Sequence, residues 1–70
     1  MSIQELDVVR LLADLPGEGL TAGAIGTVVH IFHTPRTAYE VEFVDERGET
    51  VAMTTLTEDL LERRGSVLDR

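Results

Sequence analysis

Seventy residues make a single domain (1–70) with a small core, because a chain of this length withdraws only about 60% of its unfolded surface from water and has little to spare for a deep catalytic cavity. Thirteen Asp and Glu against six cations, all of them arginine, leave a net charge of −7. That field repels nucleic acid and anionic lipid, and it is read either as solubilising or as steering a basic protein partner. Cysteine is absent, which excludes a disulfide framework and a thiolate metal site. No run reaches the roughly 18 apolar residues of a membrane span, and MSIQELDVV lacks the basic region and apolar block of a secretory leader, so the expected location is the cytoplasm.

In chain order, Asp7 to Leu12 (DVVRLL) is apolar and β-branched enough for a first strand. Ile3, Leu6, Val9 and Leu12 also lie at helical spacing, which keeps a short helix over 3–12 as the alternative. Asp14-Leu15-Pro16-Gly17 stops either element and opens a long loop whose apolar anchors are Leu15 and Leu20. Gly23 and Gly26 suit a tight turn followed by close backbone packing as a second strand begins. With a β-branched strand following, this is turn chemistry and not a phosphate loop.

The second strand is expected over about 26–33 and the third over about 38–44, joined by the polar turn His33-Thr34-Pro35-Arg36-Thr37. In the third, Tyr39, Val41 and Phe43 alternate with Ala38, Glu40, Glu42 and Val44, the period-two pattern of a half-buried strand. Asp45-Glu46-Arg47-Gly48 is a hairpin turn with Gly48 at a left-handed position. Glu49 to Leu56 is a fourth strand, Val51 and Met53 on one face, Ala52, Thr54 and Leu56 on the other. Thr57-Glu58-Asp59 begins a single helical turn with Thr57 capping its backbone amides, and residues 60–64 either prolong that helix or form a short closing strand. The ordered core is expected over about 6–64, with 65–70 a frayed tail. The sum is an all-β fold, a small SH3-like barrel of about five antiparallel strands with one short helical turn before the last strand.

The strings LDVVRLLADLPGEGLTAGAIGTVVHIF and AYEVEFVDERGETVAMTTLTEDLL resemble a family of small bacterial proteins of unknown function that share a DLP–GL–G–GTVV segment, a YEVEFVD segment and a following TL. The resemblance covers about Leu6 to Leu61 and implies the SH3-like fold without an activity. More distantly, GTV, the alternating third strand and the acidic turn are similar to the stand-alone SH3-like accessory subunits of photosynthetic and redox complexes. That resemblance implies a docking role; those subunits carry basic loops, whereas this chain is acidic.

Candidate chemistry is sparse. His30 and His33 are an odd number of residues apart, so on a strand they point to opposite faces and do not share an ion; no metal and no cofactor is expected. Glu40 and Glu42 share a strand face, with Asp45, Glu46 and Glu49 at the turn beyond. Acid–base catalysis would need one of them in a dry pocket, so they are read as a solvated face or an acidic docking stripe. No serine or threonine sits in a nucleophile–histidine–acid pattern. The expected function is a non-enzymatic, protein-binding accessory, inhibitor or immunity-type subunit for a basic partner, contacting it through Glu18, Glu40, Glu42, Asp45, Glu46 and Glu49, with Phe32 and Arg36 near the opposite turn. The alternatives are a nucleic-acid-associated barrel and a homodimeric structural module.

Overall fold

The computed structural model describes residues 2–68. Five antiparallel strands, β1 (Asp7–Leu11), β2 (Ile25–Phe32), β3 (Ala38–Val44), β4 (Thr50–Leu56) and β5 (Leu61–Ser66), form one sheet in the order β4-β3-β2-β1-β5. Two single 3-10 turns, Pro16–Glu18 and Glu58–Leu60, are the only helical pieces among the described residues, and the second stands immediately before the last strand. The all-β, five-stranded expectation therefore holds, and the helical alternative for residues 3–12 does not. β1 lies between β2 and β5 with Asp7, Val9 and Leu11 buried, so its doubled Val8-Val9 and Leu11-Leu12 put one apolar residue of each pair inward and leave Val8 half-buried and Leu12 exposed.

One face of the sheet wraps the core. Ile3, Val9, Leu11, Leu20, Val28, Tyr39, Val41, Phe43, Leu56 and Leu61 are buried there, contributed by all five strands, the N-terminal segment and the first loop. Val9, Leu11, Val28 and Val41 have no exposed surface, and burial of such a side chain contributes about 1.5–3 kcal/mol. Three of the pairings carry bulges, which bend the strands that hold them. The extra residue is Arg64 in β5, opposite Val8 and Val9 of β1; Val51 in β4, opposite Phe43 and Val44 of β3; and Val29 in β2, between Val28 and His30. In β2 the extra Val29 reverses the phase of alternation, so Val28 points inward, His30 and Phe32 point outward, and Ile31 returns to the core.

Gly26 lies where the two halves of the sheet meet, opposite Val9 on one side and Phe43 on the other. A Cβ there would stand 2.7 Å from Val41 Cγ1 and 2.9 Å from both the Glu42 carbonyl oxygen and Phe43 Cδ1, so the position admits only glycine without displacement. The first loop is closed as its anchors imply. Leu15 and Leu20 exchange backbone hydrogen bonds of 2.9 and 3.1 Å, and the Ala22 amide donates to the Asp14 carboxylate at 2.8 Å.

Two local expectations are corrected. The chain does not fray from residue 65: Gly65 and Ser66 pair with Val8 and Asp7, and the Val67 amide donates to the Leu6 carbonyl at 2.9 Å. The backbone ladder with β1 orders a segment that has no apolar alternation of its own; the rest of that expectation, residues 69 and 70, lies outside the described residues. Thr57 does not cap a backbone amide; its hydroxyl donates to the Asp59 carboxylate. Residues 60–64, open between helix and strand, divide between the end of the 3-10 turn and β5.

Asp7 ties three elements together. It is 2% exposed, and its Oδ2 accepts the Gln4 amide at 2.8 Å and the Arg63 Nε at 2.9 Å, joining the N-terminal turn, β1 and β5. A buried carboxylate is tolerable when it is paired and hydrogen-bonded in this way.

Candidate functional site

The outward face of β2, β3 and β4 is ruled into rows by the register. Thr27, Glu42 and Met53 form one row, and His30, Glu40 and Thr55 the next. Glu40 and Glu42 thus occupy the middle strand of this face, half-buried by their neighbours. The Thr50 hydroxyl donates to Glu42 Oε2 at 2.6 Å and the Thr55 hydroxyl to Glu40 Oε1 at 2.5 Å, so both carboxylates are held by β4. Beside them on β4, Val51 and Met53 are 55% and 50% exposed. The face is therefore a pair of positioned anions against an apolar border.

The hairpin turn extends this acidity but divides it by role. Asp45 Oδ1 accepts the amides of Arg47 at 2.8 Å and Glu49 at 3.0 Å, which folds the turn around Gly48 at φ 81°. Its carboxylate is thereby engaged in shaping the turn. Glu46 and Glu49 are exposed. Glu18 sits in the 3-10 turn of the first loop, exposed as well, and the antiparallel order puts that loop and the β3–β4 turn at the same end of the sheet.

Phe32 and Arg36 lie at the opposite end, as expected. With Thr34, Pro35, Ala38 and Thr55 they line an open depression of about 430 Å³. His30 packs edge-on to Phe32, with ring centroids 4.7 Å apart and planes at 76°, and its Nδ1 stands 3.8 Å from Glu5 Oε2. His33 follows the end of β2 and lines a separate recess of about 620 Å³ with Gln4, Glu5, Ile31, Tyr39 and Glu58. Burial pushes the Tyr39 phenol above its ordinary value of 10.0, and the Glu58 carboxylate adds to the effect. The structure thus gathers Glu40, Glu42, Glu46 and Glu49 on one hairpin and places Phe32 and Arg36 at its far end, beyond the Thr55 that holds Glu40.

The sequence reading did not nominate the two hydroxyls that hold the glutamates, or the apolar border formed by Val51 and Met53. Alternation in MTTL was a signal only for Met53 and Thr55, which lie opposite Glu42 and Glu40; Thr50 reaches the same face because the register slips at Val51.

Among the described residues, no helix is long and apolar enough to cross a membrane. No curated protein and no solved structure matches the chain. The sequence model of a family described as "Domain of unknown function (DUF4926)" matches residues 5–63, most of the chain from the turn before β1 to the middle of β5, and the protein belongs to that family.

Proposed function

We propose that the protein is a non-enzymatic binding module, an accessory or inhibitor/immunity-type subunit that docks a basic protein through the outward face of the β3–β4 hairpin. The observation that carries this reading is the pair Glu40 and Glu42, fixed on the middle strand by threonine hydroxyls and bordered by exposed Val51 and Met53. Carboxylates ordered before binding lose little freedom when an arginine or lysine arrives, and an adjacent apolar strip supplies the desolvated contact that charge alone does not. The surrounding Glu46 and Glu49 and the net charge of −7 raise the encounter rate with a cationic surface more than they raise affinity. The strand order, with a 3-10 turn ahead of the last strand, supports reading the fold as SH3-like, and a cytoplasmic, bacterial setting belongs to the same proposal.

The test is capture from source-cell lysate by the tagged chain and by a Glu40→Arg/Glu42→Arg variant, each with nuclease. A basic protein at near-equal stoichiometry, kept after nuclease and lost from the variant and in high salt, is the expected result. Capture unchanged by the double substitution, or only of RNA-dependent material, would overturn the reading. Both positions face outward, so thermal unfolding of the variant is expected to stay close to that of the parent.

A further inference from the structure

β4 ends the sheet. Its ladder runs to β3 alone, and among the described residues no backbone hydrogen bond outside that ladder uses Thr50 to Leu56. In an antiparallel edge strand, alternate residues turn both N–H and C=O away from the sheet, which makes the free side a template for another strand. Two of the usual guards, charge and proline, are missing here, and the third, a bulge, is confined to Val51 at the start of the strand, where the ladder passes from Phe43–Ala52 to Val44–Thr50. Thr50-Val51-Ala52-Met53-Thr54-Thr55-Leu56 contains no charged residue and no proline, pairs with β3 from Tyr39 to Val44, and leaves Val51 and Met53 exposed.

We infer that this edge is a strand-addition site, and that its occupant is an extended segment of a basic protein with lysine or arginine at alternate positions. The inference rests on the acidic-face reading above and adds the mode of docking to it. The choice of occupant follows from charge. The uncharged strand is framed by Glu42 and Glu40 on the neighbouring strand, by Glu46 and Glu49 before it and by Glu58 and Asp59 after it, against two cations, Arg47 in the turn and Arg36 across the depression from Thr55. An added strand lies about 10 Å from β3, so long cationic side chains leaning across Val51 and Met53 reach toward the glutamates. A second copy of this chain would instead bring two such carboxylate frames together.

The experiment uses the full chain and a capped ten-residue peptide alternating lysine and threonine, with a glutamate-for-lysine peptide as its counterpart, followed by amide exchange and chemical shifts in nuclear magnetic resonance. The lysine peptide is expected to slow exchange at alternate amides of Thr50 to Leu56 by tenfold or more and to bind less tightly as salt rises. Met53→Lys is expected to weaken it by tenfold or more, while Met53→Glu, equally polar on the same exposed site, retains it. Shifts around Glu40 to Glu49 with β4 exchange unchanged would overturn strand addition and leave the acidic-face reading standing. Equal binding of the glutamate peptide would overturn the cationic occupant, and no binding of either peptide would overturn both readings. Protection of β4 that grows with protein concentration in the absence of peptide would overturn the basic occupant in favour of a second copy.

Discussion

The two edges of the sheet are built from opposite materials. β5 carries Glu62, Arg63 and Arg64, with Glu62 bridged to Arg10 at 3.1 Å and to Arg64 at 3.7 Å, and Arg63 bound to the buried Asp7. β4 carries no charge at all. Charged side chains along an edge oppose the approach of a foreign strand, because pairing would strip them of water. The contrast teaches that this small domain guards one edge with charge and the other only with the bulge at Val51, so the two edges differ in how readily they would accept a further strand.

The largest expected effect comes from breaking the charged side. Asp7→Ala removes the buried acceptor shared by the Gln4 amide and Arg63, at a cost of about 2–3 kcal/mol. The Arg63 side chain is a third exposed, which places the loss below that of a fully buried pair. Urea unfolding measures it, and amide exchange should show β5 and the N-terminal turn opening before β3. A loss under half a kcal/mol would mean that the β5 side is held by its ladder and the core contact of Leu61 instead.

Gly26→Ala probes the joint between the two sides. The added methyl meets Val41, Phe43 and a backbone oxygen at 2.7–2.9 Å, and overpacking of this kind costs about 1–2 kcal/mol net of the stiffer unfolded chain. Because β2 pairs with β1 and β3 at this residue, the substitution should loosen both halves together and leave their difference intact. A variant as stable as the parent would show that Val41 and Phe43 yield without strain.

These residues also mark how far the sequence could be read. The alternation around Tyr39, Val41 and Phe43, the left-handed Gly48 and the close approach at Gly26 were legible because each is a local rule of one strand or turn. The bulge at Val29, which sends His30 and Phe32 outward, was not, since it is fixed by the pairing of β2 with β3 and by nothing in VVHIF alone. The same holds for Ser66, ordered by a ladder to a residue at the other end of the chain. Of the candidate surface, the face shared by Glu40 and Glu42 followed from period two. That Asp45 is occupied by its own turn, and that Thr50 and Thr55 hold the glutamates, depended on side-chain positions that alternation does not specify.

The smallest expected effect lies where the uncharged side joins the charged one. Tyr39 faces Leu56 across the end of β4, next to the Glu58–Leu60 turn that leads into β5. Its phenol is held above the ordinary value, mainly by burial and further by Glu58, so the folded chain keeps a proton that the unfolded chain releases first. The stability linked to this group is fully present below pH 10 and falls as the pH rises beyond it. Urea midpoints taken between about pH 9 and about pH 11 should therefore decline in the parent and decline less in Tyr39→Phe. Glu58→Gln should remove only the lesser part of the slope, since burial is the larger cause. A slope unchanged in Tyr39→Phe would assign the alkaline loss to another group and would leave the end of β4 held by Leu56 packing alone.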